Sequence, residues 1–263
     1  MLKKLLKYDL KSIFKGLLIF YSLSLFFAVL TRILFSVENS VVINIIAQIC
    51  SGVTISMMFN IVINNLIRLW VKARENFYGD ESYLTHTLPV NKNNLYLSKT
   101  LTSIISLFTS VLVIGLTLFV AYYSKENIEL LKNVLEPLAN LYNSKVVSII
   151  FVFLFIMFLE FLNALQAGFT GIILGNKMET RKTLFVFLYG FATYMITQII
   201  GIALIFLVSL FDKDLMNLFI TTSQVDFGVI KVIIYLAIAV YSLLCILIYL
   251  FNSKIFNKGV NVE

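Results

Sequence analysis

The chain has 263 residues, of which 60% are hydrophobic and only 13% are charged. Soluble domains are about half apolar and about a quarter charged, so this chain carries too little charge to cover a water-facing surface of its size. The composition therefore excludes a disordered chain, a secreted disulfide scaffold and an ordinary cytosolic enzyme. It leaves a polytopic membrane protein, with the lipid bilayer as its surroundings.

Six segments are long and apolar enough to be membrane-spanning helices, which need about 20 residues each. None shows the roughly 10-residue alternating pattern of a membrane β-barrel strand. We therefore predict an all-α integral membrane fold with six transmembrane helices in a single domain over residues 1–263. The predicted spans lie at about 16–35, 41–70, 97–123, 146–174, 184–211 and 229–251.

The distribution of positive charge predicts the orientation of the spans. Of the 21 Lys and Arg residues, 15 fall in or beside the two termini and the loops that follow spans two and four. Such an excess is typical of cytoplasmic segments, so we expect both termini inside. The net charge of +7 is then a topology signal rather than a nucleic-acid patch, and we expect no nucleic-acid partner. Cys50 and Cys245 lie within spans, and nothing indicates a disulfide or a metal site.

The N-terminal segment 1–15 has the pattern of an amphipathic interfacial helix. Lysines recur at every fourth position opposite an apolar stripe, which suits a helix lying in the headgroup region of an anionic membrane. A plain basic topology anchor is the alternative. The lysines are Lys3, Lys7, Lys11 and Lys15.

Two loops on the predicted outer side also carry apolar residues. Segment 125–142 places its apolar residues on one face, which predicts a short surface helix. Segment 212–228 contains an apolar island at 215–220 that is too short to span a membrane. That island is predicted to form a re-entrant or interfacial turn.

The long cytoplasmic loop after span two predicts a short projecting helix. The chain turns at Gly79, and Asp80 and Glu81 precede a helix at 82–88, where acidic groups are favoured. Pro89 ends the helix, because the residue before a proline is disfavoured in the α conformation.

Aromatic and apolar side chains in this loop have two possible roles. Aromatic anchors beside charges are typical of a protein–protein contact. Alternatively, they pack back onto the inner surface of the helical bundle. The residues are Phe77, Tyr78, Tyr83 and Leu84.

The run ENFYGDESYLTHTLPV, from Glu75 to Val90, resembles the cytoplasmic segment after the second span of ABC type-2 export permeases. Members of that family tend to carry an acidic residue, a glycine, a hydrophobic pair and a proline followed by a hydrophobic residue at this spacing. The motif GDE-x-YLT-x-TLPV is similar to that of a subgroup common in low-GC Gram-positive bacteria. Six spans, an amphipathic N-terminal helix and cytoplasmic termini also match that family.

The resemblance implies that this segment is a coupling helix that docks in a groove of a separate ATPase subunit. It further implies a second copy of the chain, or a similar permease, in a dimer of the bacterial plasma membrane. ATP and Mg would be bound by the ATPase, since this sequence has no G-x-x-x-x-G-K-[ST] phosphate loop and we expect no enzymatic site in it. The predicted ATPase-coupling residues are Glu75, Phe77, Tyr78, Gly79, Asp80, Glu81, Tyr83, Leu84, Leu88, Pro89 and Val90.

Glu160 lies near the middle of the fourth span, where an ionisable residue is a functional candidate. One interpretation makes it a polar point on a translocation path or a conformational switch. The other makes it a protonated or paired glutamate that bonds a neighbouring helix. Asn163 and Gln166 flank it, and a row of small residues on its face predicts close helix packing. The row is Ala164, Ala167, Gly171 and Gly175.

The second span has polar residues on two nearly opposite faces, and Asn60 and Asn64 belong to the face of its inner half. A position beside a translocation path and tight packing in a bundle explain this pattern equally well.

Other classes of function remain as alternatives to an exporter of a hydrophobic or amphipathic substrate such as a peptide. An intramembrane protease is disfavoured, because the only histidine, His86, lies in a loop and the sequence has no G-x-S-x-G or H-E-x-x-H motif. An ion- or proton-coupled transporter would use Glu160. A non-transporting membrane immunity or sensor protein is the third class.

Overall fold

The computed structural model describes residues 2–37, 40–87, 89–211, 216 and 227–258, apart from the side chains at 86, 227 and 228. Within these ranges every regular element is an α-helix. In chain order the helices are α1 (Leu2–Phe35), α2 (Val41–Tyr78), α3 (Ser82–Thr87), α4 (Lys92–Tyr122), α5 (Lys125–Leu141), α6 (Val146–Gly175), α7 (Lys182–Ser209) and α8 (Phe227–Asn257).

Six of these helices are long and apolar enough to cross a membrane: α1, α2, α4, α6, α7 and the Val229–Asn257 part of α8. The prediction of a multi-pass helical membrane protein is confirmed at this level of length and composition. The outer surface agrees with it, since Phe187 and Phe191 of α7 are 74% and 67% exposed. Lipid tails are as apolar as these side chains, so such a surface needs no protein cover.

Several helices extend beyond the predicted spans. α1 is unbroken through both the segment 1–15 and the first span, and an interfacial position of its first turns stays a prediction. α2 continues past residue 70 to Tyr78, because its charged residues are good helix formers, and it ends where the Gly79 amide bonds the Arg74 and Glu75 carbonyls at 3.1 Å. α4 begins at Lys92, after the Asn91 side chain accepts a hydrogen bond from the Asn93 amide at 3.1 Å.

The loop helix predicted at 125–142 is confirmed as α5, whose C-terminal residues Leu138 and Ala139 pack with Ile149 of α6. Of the apolar island at 215–220 only Met216 is among the described residues. The predicted re-entrant turn therefore lies outside them.

The chain divides into two compact units, Met1–Glu129 and Leu130–Glu263, named here unit 1 and unit 2. In unit 1, α1 packs on α2 and α4, and α3 packs on α2. In unit 2, α6 packs on α7 and α8. The single-domain assignment over 1–263 stays a prediction.

The backbones of α6 and α7 approach closely at glycines of both helices. A Cβ atom on Gly171 would lie 2.4 Å from the Val186 carbonyl oxygen and 2.7 Å from the Gly190 amide nitrogen. A Cβ atom on Gly175 would lie 2.4 Å from the Val186 amide nitrogen. Ala167, one turn before Gly171, is buried, whereas Ala164 is half-buried. Only glycine fits at positions 171 and 175 without displacing the facing backbone.

We predict that Gly171→Ala destabilises the protein by about 1–3 kcal/mol, since the added methyl group must push α7 away from α6. Thermal unfolding in detergent measures this loss. Gly201→Ala is the matched control in the same unit, because a Cβ atom there meets nothing within 4 Å. The control is expected to be neutral or stabilising by up to about 1 kcal/mol. Equal unfolding temperatures for the two variants would contradict the close approach.

Candidate functional site

The connection from α2 to α4 presents a short helix, α3, with an exposed apolar face. The helix begins after the Gly79 turn, where the Ser82 amide bonds the Gly79 carbonyl at 2.9 Å. Ser82 itself is fully buried, whereas Tyr83 and Leu84 are 65% and 74% exposed. Two large apolar side chains thus project from a helix whose first residue is fixed in the protein.

The remaining residues of the predicted coupling segment divide by position. A Cβ atom on Gly79 would lie 2.9 Å from the Glu75 Cα atom, so the turn after α2 is tight. Glu75, Asp80 and Pro89 are exposed, Val90 is half-buried, and Leu88 is outside the described residues.

Phe77 and Tyr78 are not presented to the outside, unlike Tyr83 and Leu84. Phe77 is 2% exposed, and the half-buried Tyr78 contacts its ring edge-to-face with ring centres 6.4 Å apart. The reason is the length of α2: because the helix continues to Tyr78, Phe77 follows Leu69 and Ala73 on one buried stripe. Packing back onto the bundle therefore holds for these two residues, and only Tyr83 and Leu84 are presented outward.

Glu81 ties the start of α3 to α2. Its carboxylate accepts hydrogen bonds from Lys72 Nζ at 2.7 and 2.9 Å and from the Asn76 side-chain amide. The hydrogen bond from Lys72 lowers the pKa of Glu81 below its usual value, with further help from the charges of Lys72 and Lys99 and from Asn76. Glu81 is therefore ionised at neutral pH and holds α3 against α2.

The same network continues into α4 and α1. Lys99 of α4 donates to the Asn76 side-chain oxygen and, at 2.6 Å, to Asp9 Oδ1 of α1. Ser98 Oγ donates to the other oxygen of Asp9 at 3.2 Å. The side chains of Lys99 and Asp9 are only 12% and 14% exposed. These contacts bring the N-terminal part of α1 and α3 to the same end of unit 1. We call Asp9, Lys72, Asn76, Glu81, Ser98 and Lys99 the anchor network.

The interior of unit 1 holds a second polar cluster, centred on Asn65. Its side chain donates to Ser110 Oγ at 2.7 Å and accepts from Ser106 Oγ at 2.8 Å. The Tyr21 hydroxyl of α1 reaches Ser110 Oγ at 2.7 Å. The cluster therefore joins α1, α2 and α4 through fully paired neutral groups.

Asn60 and Asn64, the candidates from the sequence, make a different kind of contact. Asn60 donates to the Ser56 carbonyl and Asn64 to the Asn60 carbonyl, each at 3.0 Å within α2. Asn65 lies one position further, on the buried stripe between Ile61 and Leu69. The sequence of α4 did indicate a polar face that a neighbouring helix must match with polar side chains such as Asn65. Its hydroxyl residues recur at helical spacing: Ser103, Ser106, Ser110 and Thr117.

In unit 2, Glu160 is bonded to α7. Its Oε1 atom accepts from the Tyr194 hydroxyl at 2.7 Å and from the Gln198 side-chain amide at 2.8 Å. Gln198 Oε1 in turn accepts from the Tyr241 hydroxyl of α8 at 2.9 Å. The Oε2 atom of Glu160 is buried and has no hydrogen-bond partner among the described residues.

Asn163 and Gln166 make further polar contacts along the same helix, α6. Asn163 is fully buried and donates to Thr197 Oγ1 at 3.0 Å, while its own Oδ1 atom has no partner in the described part of the chain. The Gln166 backbone carbonyl accepts from the side chain of Asn252 at 3.1 Å. The structure thus brings Glu160, Asn163 and Gln166 into one polar seam with α7 and α8. No pattern in the sequence singles out Tyr194, Gln198, Tyr241 or Asn252.

No family model, no curated protein and no solved structure matches the chain. Within the described ranges, no group of three or more His, Cys, Asp and Glu side chains is placed to hold a metal ion. The geometry described above leaves two candidate sites: α3 with its anchor network, and the polar seam around Glu160.

We predict that Lys99→Met lowers the free energy of unfolding by about 3–5 kcal/mol, because it leaves the Asp9 carboxylate buried and without its counter-charge. Chemical unfolding in detergent measures the loss. The same substitution at the exposed Lys11 of α1 is the matched control and should change stability by about 0.5 kcal/mol or less. Adding Asp9→Leu to Lys99→Met should restore part of the loss. Equal effects of Lys99→Met and Lys11→Met would contradict the buried pair.

We predict that Glu81→Gln costs about 1 kcal/mol or less at pH 7, since the Glu81 side chain is 46% exposed and solvent screens its pair with Lys72. The pKa of Glu81 is lowered in the folded protein, so its stabilising effect is complete above the unfolded pKa of about 4.3 and is lost as the pH falls below it. The difference in unfolding temperature between wild type and Glu81→Gln should therefore shrink on acidification below about pH 4. A difference that stays constant on acidification would contradict the pairing. Glu75→Gln, at 3.7 Å from Lys72, is the weaker control.

Proposed function

We propose that this chain is the membrane-spanning permease subunit of an ABC exporter. It moves a hydrophobic or amphipathic substrate, such as a peptide, outward across the plasma membrane of a bacterium. ATP and Mg are bound by a separate ATPase subunit, and a second permease completes the dimer.

The observation that carries this proposal is that hydrogen bonds from α2 hold the short helix α3 in place. Its outward residues Tyr83 and Leu84 are exposed, and Glu81 connects its start to Lys72 and Asn76 of α2. Through Lys99 and Asp9 the connection reaches α4 and α1. A partner that moves α3 therefore also moves the candidate spans α2, α4 and α1. A coupling helix must transmit movement in this way.

The exposed pair on α3 suits an ATPase groove. Large apolar side chains that enter a pocket of a partner supply most of the binding energy of an interface, and charged groups at its rim orient the partner. Tyr83 and Leu84 have the first role, and the exposed Asp80 and Glu75 have the second. The sequence has no phosphate loop of its own, so ATP-driven transport needs such a partner.

The orientation and the substrate follow from charge. The N-terminal lysines and α3 lie at one end of unit 1, which is the end that the positive-inside rule assigns to the cytoplasm. In this orientation the first turns of α1 meet the anionic headgroups of the inner leaflet. The candidate spans are apolar and weakly charged, which suits an amphipathic peptide better than a sugar.

We predict that Tyr83→Ala combined with Leu84→Ala reduces recovery of the ATPase subunit at least about tenfold when the tagged permease is purified from membranes. Both side chains are exposed, so their removal should leave the unfolding temperature unchanged while the contact is lost. The tagged permease is expressed in its native host, so that an ATPase subunit present there is the one recovered.

Leu130→Ala combined with Val134→Ala on α5 is the matched control, since these side chains are 62% and 70% exposed on a loop assigned to the opposite side. The control should keep normal recovery of the ATPase. Undiminished recovery with the α3 variant would refute the docking role of α3. If the complex in liposomes transports without ATP dependence, a proton- or ion-coupled transporter is the better assignment. If it does not transport at all, a sensor or immunity protein is.

A further inference from the structure

Two buried oxygen atoms on one face of α6 each lack a hydrogen-bond donor among the described residues. They are Glu160 Oε2 and Asn163 Oδ1. Side chains three positions apart are neighbours on a helix surface, so these two acceptors belong to adjacent side chains. Buried acceptors without donors are costly, and a site with two of them needs an explanation.

Glu160 has no cationic partner in the described part of the chain. The ion pairs there involve Glu75, Glu81 and Asp9, all in unit 1. The titratable groups that face Glu160 are Tyr194 from α7 and Tyr241 and Cys245 from α8, and the Tyr241 hydroxyl also lies within hydrogen-bonding range of the Glu160 carboxyl group. Such groups are ordinarily uncharged at neutral pH. Glu160 is half-buried, its Oε2 atom is fully buried, and a buried ionised carboxylate oxygen without a counter-charge is disfavoured.

The hydrogen bonds around Glu160 run in one direction. The Tyr241 hydroxyl donates to Gln198, and Gln198 donates to Glu160 Oε1. Further along, Asn163 donates to Thr197, and Thr197 donates to the Tyr194 carbonyl at 2.7 Å. Among the described residues, this series of hydrogen bonds is interrupted between Glu160 and Asn163.

We propose that Glu160 and Asn163 form a proton-binding site. A proton on Glu160 Oε2 donates to Asn163 Oδ1, so one proton satisfies both atoms and completes the chain of hydrogen bonds from α8 through α7 and α6. No group of three or more metal-ligating side chains lies in the described part of the chain, so a proton fits these two oxygen atoms better than a metal ion. Release of the proton to water leaves a carboxylate anion in the seam and breaks the chain, so the packing of α6 with α7 and α8 is linked to protonation. The proposal is independent of the exporter assignment.

Infrared spectroscopy of the whole protein in lipid nanodiscs tests the site directly. At pH 7 the wild type should show the C=O band of a protonated carboxyl group, shifted to lower frequency in D2O, and Glu160→Gln should lack it. Asn163→Leu should shift this band to higher frequency, because the acceptor of the proton is removed. Glu136→Gln, on the exposed surface of α5, is the control that should leave the band unchanged. A wild-type spectrum without such a band at pH 7 would overturn the proposal.

Stability provides a second readout. Glu160→Gln keeps an oxygen for Tyr194 and Gln198 and places an NH2 donor where the proton is proposed. Its unfolding temperature at pH 7 should lie within about 2 °C of wild type, whereas Glu160→Ala should lose about 4 °C or more. Glu160→Gln as unstable as Glu160→Ala would overturn the proposal.

Discussion

The ion pair between Asp9 and Lys99 fixes the end of unit 1 where α3 lies. Both side chains are nearly buried, so the pair is stable only because its geometry is close, at 2.6 Å, and its remaining hydrogen-bonding capacity is used. Ser98 donates to Asp9, and Asn76 accepts from Lys99. Asn76 then orients Glu81. The position of α3 thus depends on a charge pair between α4, which follows it in the chain, and α1, which is distant from it in sequence.

Unit 2 is held by different chemistry. Its described residues contain no ion pair. There α6 meets α7 through backbone contact at Gly171 and Gly175 and through hydrogen bonds of Glu160 and Asn163, and it meets α8 through a hydrogen bond from Asn252 to Gln166. Backbone contact leaves no room for adjustment, and the hydrogen bonds join groups that ordinarily are neutral in apolar surroundings. Unit 1 therefore depends on paired opposite charges, whereas unit 2 depends on close packing and on the hydrogen bonds that one carboxyl group accepts.

The sequence predicted what depends on local pattern and missed what depends on tertiary pairing. The six candidate spans and α5 follow from apolar length and amphipathic period, which adjacent residues determine. Asp9 and Lys99 are 90 positions apart, and each alone has the pattern of a surface charge. Glu160 was found because a carboxylate interrupts an apolar run, but its partners Tyr194 and Gln198 are ordinary residues of another span. The role of Phe77 stayed open because a helix can continue past its apolar segment, and hydropathy gives no signal of that.

The shortness of α3 is what makes its anchoring informative. A six-residue helix is unstable in water by itself, because the cost of nucleation exceeds what its few hydrogen bonds return. Its conformation is therefore maintained by the buried Ser82 and by the hold of Lys72 and Asn76 on Glu81. The exposed Tyr83 and Leu84 follow directly after these fixed residues, so little flexible chain lies between the exposed surface and the anchor network. A partner that displaces α3 must either break the Glu81 contacts or move α2 with it, and through Lys99 also α4 and α1.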